Sequence, residues 1–152
     1  MPPAKPSRPR IFVDADVLFA GAASPSEHGA SLVILRLAEL TLIEAVASQQ
    51  VVTEAERNLA AKLPRALPAF RLLVDRCLRV GADPGRVELA PYADLADPKD
   101  LPILVAALHA GCPWLVTLDG RHYRPGHPEV TVLRPGEFVF RVRDTLARLK
   151  GR

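Results

Sequence analysis

Ile11-Phe12-Val13-Asp14-Ala15-Asp16 is the stretch on which the fold of this chain turns. A short run of β-branched and aromatic residues closes directly on a carboxylate. That is the pattern of a strand buried on both faces of a parallel sheet, with an acid at its carboxyl end. Trp114-Leu115-Val116-Thr117-Leu118 repeats the pattern and ends at Asp119. Outward from these two, Leu42–Ala47, Val87–Leu89 and Val130–Leu133 read as further short strands. Helical spacing of apolar residues predicts helices over Ser31–Leu40, Gln49–Leu63, Arg65–Arg79, Leu101–Ala110 and Pro135–Leu149. Ser48 is placed for its hydroxyl to cap the second of these, and Gly111 to stop the fourth. Gly21–Glu27 and Gly81–Gly85 read as loops, and Arg121–Pro128 as a polar loop. Strands alternating with helices at this spacing predict one α/β domain with a mostly parallel, about five-stranded sheet over residues 11–149.

Composition sets the outer bounds. With 152 residues, 49% hydrophobic and 24% charged, the chain suits one globular domain rather than a disordered segment. No apolar run reaches the ~18 residues of a membrane span, and the N-terminus lacks the apolar core of a signal peptide. No membrane association and a cytoplasmic location are therefore expected. The formal charge is +3 and the pI about 9.2. Lys5, Arg8 and Arg10, in a Pro-rich segment read as a flexible basic tail over residues 1–10, account for that whole excess. Residues 11–152 carry 17 basic and 17 acidic groups, so the pI mostly describes the tail. Cys77 and Cys112 have neither metal-ligand spacing nor secretory context and read as reduced core residues. Trp114 reads as core, His109 as a packed histidine, and His28 carries no signal.

Several acids stand where chemistry can occur, because ligands of open parallel sheets bind outside the carboxyl ends of the strands. Asp14 and Asp119 end the two most apolar strands, and Asp16 lies two residues beyond Asp14. Asp97 and Asp100 stand at the start of the helix that precedes Asp119. Each also has a plain local explanation. Acids make turns and caps, complement the positive end of a helix dipole, and, like Glu54 beside Arg57 and Asn58, serve as solvated helix residues.

Taken together and in order, these blocks resemble the PIN-domain ribonucleases. Val13-Asp14-Ala15-Asp16-Val17-Leu18 is similar to the family's first block, in which an acid ends the first strand. Ser48 followed six residues later by Glu54 matches its second, and Asp97-Pro98-Lys99-Asp100 ahead of an Ala- and Leu-rich helix its third. Leu115-Val116-Thr117-Leu118-Asp119 matches its fourth, and Val130 to Phe138 is similar to its last strand and helix. The resemblance spans residues 11 to about 148 and implies a three-layer α/β/α domain. It implies catalytic acids Asp14, Glu54, Asp100 and Asp119, with Asp14, Asp100 and Asp119 on a metal ion. Asp16, Asp97 and Thr117 would support them, and Asp97 is the rival of Asp100 for the third place. Two departures stand out: Asp16 replaces a common Asn, and Gly120-Arg121-His122 follows Asp119 where relatives often carry further acids or an aromatic.

Oxygen-only ligands select Mg²⁺ or Mn²⁺, and converging carboxylates need such a cation to remain ionised. The implied reaction is endonucleolytic cleavage of RNA by a Mg²⁺- or Mn²⁺-activated water, with one ion and a second ~3.5–4 Å away once substrate is bound. Arg121, His122 and Arg124, with His127 on the same loop, are the candidate contacts to phosphates of single-stranded or looped RNA. The resemblance further implies a VapC-like toxin of a type II toxin–antitoxin pair, homodimeric and silenced by an antitoxin. Two other readings stay open. One is a haloacid-dehalogenase-like phosphatase with Asp14 as nucleophile and Asp16 as acid/base, although Lys62 and Lys99 are the only lysines available to it between the strands. The other is a non-catalytic PIN-fold binding module.

Overall fold

A computed structural model describes residues 8–24 and 29–151. Residues 1–7 of the expected tail, residues 25–27 of the expected Gly21–Glu27 loop, and His28 lie outside the described residues. The elements run β1 (Arg10–Val13), α1 (Ala15–Ala23), α2 (Ala30–Glu39), β2 (Glu44–Ser48), α3 (Gln49–Lys62), α4 (Leu67–Cys77), β3 (Leu78–Gly81), α5 (Arg86–Leu89), α6 (Leu101–His109), β4 (Trp114–Val116), β5 (Thr131–Leu133) and α7 (Pro135–Arg148). All strand pairs are parallel, in the order β3-β2-β1-β4-β5. Right-handed crossovers put α1 to α4 on one face of this sheet. There α2 packs on α1, α4 and α7, while α5 and α6 pack together on the other face, α6 against β2 and β4. The result is the three-layer α/β/α fold.

Burial explains which elements are apolar throughout. β1 is the central strand, and Ile11, Phe12 and Val13 are each at most 1% exposed because helices cover both faces. Leu115 and Val116 of β4 and Ile103 to Ala107 of α6 are buried in the same core. Cys77 and Cys112 are free and buried, and burial pushes the Cys112 thiol up to about 12. Gly21 sits where α1 meets α2: a Cβ there would stand 2.7 Å from Leu35 Cδ1.

The structure corrects several expectations. The third strand is Leu78–Gly81, not Val87–Leu89. The Val87–Leu89 stretch forms one helical turn started by Glu88, whose carboxylate accepts the Gly85 N–H at 3.0 Å, and Val87 is 88% exposed. β3 is an edge strand with Arg79, Val80 and Gly81 all exposed, so it lacks the apolar signature of the inner strands. α4 accordingly stops at Cys77 rather than Arg79. β2 starts at Glu44, leaving Leu42 57% exposed outside it. The residues after Asp14 turn at once into α1, which runs on to Ala23 and so takes in the start of the stretch expected as the Gly21–Glu27 loop. Ser48 occupies the N-cap position of α3, but its hydroxyl makes no capping bond. The carboxylate of Asp83 takes that role, accepting the Gln50 N–H at 2.8 Å.

Smaller adjustments concern the edges. Arg10, counted with the tail, is the first residue of β1, bonded to Glu44 at 2.9 Å and to the Ala110 carbonyl at 2.9 Å. Glu44 also pairs with Arg79 at 2.9 Å, so one carboxylate links β1, β2 and β3, and the two guanidiniums hold it below its ordinary pKa. His109 is exposed, not packed: it lies 3.4 Å from Glu88 and edge-on to Tyr92. Trp114 is half-buried against Phe138. No helix among the described residues is long and apolar enough to cross a membrane.

Candidate active site

The strand order reverses direction at β1. The chain leaves β1 toward β2 and β3, then returns across the sheet to β4 on the other side. Such a switch point opens a crevice at the carboxyl ends of the two strands, where neither crossover fills the space. β1 delivers Asp14 to that crevice and β4 delivers Thr117 and Asp119. The ladder holds them in register, with Val13 opposite Val116 and the Asp14 N–H donating to the Val116 carbonyl at 3.0 Å.

Asp14 is buried, yet every near donor to it is neutral. Its Oδ1 accepts the Ala15 N–H at 2.7 Å, which also caps α1. Its Oδ2 accepts the hydroxyls of Thr117 at 2.9 Å and Tyr123 at 2.6 Å. The same Thr117 hydroxyl lies 3.1 Å from Asp16 Oδ2, which also accepts the Leu118 N–H at 3.1 Å. A hydroxyl has a single proton to donate, so Thr117 cannot satisfy both carboxylates at once. Burial, and then the charge of Asp14, raise the Asp16 pKa to about 6. Burial, followed by Asp14, likewise pushes Glu54 and Asp100 up, and Lys99 partly offsets both. Tyr123 is held far above the ordinary phenol range by burial and the neighbouring carboxylates, so it remains a proton donor toward Asp14.

One cleft of about 570 Å³ is lined by Asp14, Asp16, Glu54, Asp97, Asp100, Thr117, Asp119 and His122, together with Asn58, Lys99 and Tyr123. All four expected catalytic acids therefore meet, although they come from β1, α3, the start of α6 and the end of β4. Asp97 and Asp100 are both present. Asp100 is half-buried and charge-coupled to Asp14, whereas Asp97 is exposed and takes the His122 ring at 2.8 Å. Asp97, Asp100 and His122 could each offer one atom to a single ion.

The expected phosphate contacts separate. Arg121 forms a fork on Asp119, Nε to Oδ1 at 2.9 Å and Nη2 to Oδ2 at 2.8 Å, and holds that carboxyl far below its ordinary range. His122 stands among Asp97, Asp100 and Asp119, which raise its pKa. Arg124 instead lines a neighbouring cleft of about 620 Å³ with His127 and Arg134, which shares Thr117, Asp119 and Tyr123 with the first. Neither Arg124 nor Arg134 is paired with a carboxylate side chain among the described residues.

Sequence reasoning missed Tyr123, Lys99 and Arg134. Tyr123 sits in the stretch read as a polar loop, but a 3₁₀ turn over Gly120–Tyr123 turns it inward until it is 2% exposed. Gly126, at φ +82, closes the following bend; a Cβ there would lie 2.9 Å from the Tyr123 carbonyl oxygen. An aromatic in a polar stretch just after a strand-end acid is the signal that was available.

The donor set fits a hard divalent cation. Carboxylates of Asp16, Glu54 and Asp100 join Asp14 in the cleft, with neutral hydroxyl donors behind Asp14, and burial, followed by the charge of Asp14, raises the other three acids. Comparison with known proteins agrees in fold. VapBC2 from Rickettsia felis, solved bound to a promoter DNA fragment, is 14% identical with a TM-score of 0.60, covering 82% of this chain and 98% of that one. VapC20 of Mycobacterium tuberculosis, described as a sarcin-ricin loop cleaving toxin, is 21% identical with a TM-score of 0.56, covering 79% and 98%. PAE2754 from Pyrobaculum aerophilum is 18% identical with a TM-score of 0.60, covering 90% and 96%. No curated protein matches by sequence. Residues 10–121, which include all four acid-bearing blocks, match the model of the PIN domain, and the chain belongs to the PIN domain family.

Proposed function

We propose that this protein is a divalent-cation-dependent endoribonuclease and the toxin of a toxin–antitoxin pair. The observation that carries the catalytic reading is the meeting of Asp14, Asp16, Glu54, Asp100 and Asp119 in one cleft at the β1/β4 switch point. Asp14, Asp100 and Glu54 would hold Mg²⁺ or Mn²⁺, with Asp119 at the rim. A cation there supplies Lewis acidity toward a phosphodiester and offsets the carboxylates' mutual repulsion.

The chain's own residues do the rest. The Tyr123 O–H and the Ala15 N–H orient the Asp14 carboxylate from behind, and Thr117 donates its one proton to Asp14 or to Asp16. Asp16, which lines the same cleft but is not one of the metal-holding acids, is placed to accept a proton from an attacking water and release it again. Arg124 and Arg134, whose side chains pair with no carboxylate among the described residues, line the adjoining cleft where the flanking phosphates of a single-stranded or looped RNA would lie. The toxin reading rests on the fold shared with VapC20 and VapBC2. It implies an antitoxin chain covering this cleft, a homodimer, and action in the cytoplasm. Membership of the PIN family leaves the phosphatase reading without an observation in its favour.

The test is cleavage of a fluorescently labelled RNA hairpin with Mg²⁺ or Mn²⁺, by wild type and Asp14→Asn. Metal-dependent cleavage lost in Asp14→Asn supports the proposal. A folded wild type that binds Mn²⁺ yet cleaves no RNA would make this a non-catalytic PIN module. Hydrolysis of p-nitrophenyl phosphate abolished by Asp16→Ala would instead revive the phosphatase.

A further inference from the structure

The acids of the cleft differ in how their charge is met. Asp119 is almost fully engaged by its own neighbours. Oδ1 accepts both the Arg121 Nε–H at 2.9 Å and the Arg121 backbone N–H at 3.1 Å. Oδ2 accepts Arg121 Nη2 at 2.8 Å and faces His122 Nε2 at 3.4 Å. A carboxylate oxygen offers two lone pairs, so Oδ1 has none left and Oδ2 at most one. A bidentate guanidinium adds charge and fixed geometry to both bonds, which makes such a pair stronger than a neutral hydrogen bond.

Across the cleft the opposite holds. The donors to Asp14 and Asp16 are hydroxyls and backbone amides without charge. Among the described residues, no Lys or Arg nitrogen lies within 4.0 Å of Asp14, Asp16, Glu54 or Asp100, and Asp100 has only His122 Nδ1 at 3.8 Å. Uncompensated charge is thus concentrated around Asp14. Charge-compensated carboxylate lies at Asp119.

We propose that Arg121 is the resident counter-ion of Asp119, so that the cleft takes one divalent cation on the Asp14, Glu54 and Asp100 side and Asp119 is not among the groups that hold it. This rests on the metal-dependent reading above. In the two-metal arrangement two cations clamp the attacking and leaving oxygens; here a guanidinium already takes the Asp119 carboxylate that a second ion would draw on. Arg121 is then a positioning residue. It occupies the Asp119 carboxylate within the cleft and keeps a positive charge at the junction with the cleft lined by Arg124.

The experiment is titration of the full chain with Mn²⁺ by calorimetry and by electron paramagnetic resonance of the ion. Wild type should bind one Mn²⁺ per chain. Asp119→Asn should keep that stoichiometry with Kd changed by no more than about threefold, whereas Asp14→Asn should weaken binding at least ~10-fold, in the range seen when metal-site residues are altered. Arg121→Gln, which frees Asp119, should add a second ion. Thermal unfolding of each variant reads whether it is folded. Two ions in wild type, loss of the ion in Asp119→Asn, or Arg121→Gln indistinguishable from wild type would each overturn the inference while leaving the metal-dependent reading intact. Absence of Mn²⁺ binding from folded wild type would overturn both.

Discussion

Replacing Tyr123 by Phe removes one oxygen and nothing else, and the structure says what that oxygen does. The hydroxyl donates to Asp14 Oδ2 at 2.6 Å from a side chain only 2% exposed. Hydrogen bonds to charged acceptors contribute about 1.5–3 kcal/mol, and a buried acceptor stripped of its donor loses more than an exposed one. Thr117 remains as a second O–H donor at 2.9 Å, which moderates the loss. The expected cost is therefore about 2 kcal/mol, or a fall in Tm of about 4–8 °C for a chain of this size. Urea unfolding followed by circular dichroism in chelator measures it directly. A double-mutant cycle isolates the pair: in an Asp14→Ala background the hydroxyl has lost its acceptor, and Tyr123→Phe should then cost nothing. A cost below about 0.5 kcal/mol in the wild-type background, or the same cost in both, would refute the idea that Tyr123 acts through Asp14.

Three further outcomes follow from other parts of the molecule. Asp16 has a folded pKa of about 6 against 3.8 unfolded, so the folded state binds more protons between those values and stability falls as pH rises from about 4 to 6. Unscreened, the difference is about 3 kcal/mol, and about 1–2 kcal/mol remains after allowance for its partial exposure, so in chelator Asp16→Asn should unfold at higher temperature than wild type above pH 6 and at the same temperature near pH 4. Gly126→Ala places a methyl against the Tyr123 carbonyl at a left-handed φ; a loss of about 1–3 kcal/mol, read by denaturant unfolding, is expected. Val87→Ser, at an 88% exposed position, should change stability by less than about 0.5 kcal/mol, where a strand residue in the core would cost several times that.

The sequence and the structure part company at identifiable places. β1, β4 and α6 are legible because helices or strands cover them on all sides, so their apolar runs are unbroken. β3 hides because an edge strand needs no such run, and Val87-Glu88-Leu89 imitates a strand because one exposed helical turn shows no periodicity to betray it. Ser48 has the right residue type for a cap, yet a carboxylate 33 residues from Gln50 does that work. The acids of the cleft could be ordered along the chain, but nothing local says that Tyr123 reaches Asp14, 109 residues away.

Sequence alone thus determined the alternation of strands and helices and the order of acids at strand and helix ends, because each depends on short-range periodicity and residue type. Only the tertiary structure decided how those acids are partnered. Convergence at the β1/β4 crevice leaves Asp14 surrounded by neutral donors, while the turn after β4 folds Arg121 back onto Asp119. Charge compensation depends on distances of a few ångströms between side chains from separate elements, and a linear sequence does not carry those distances.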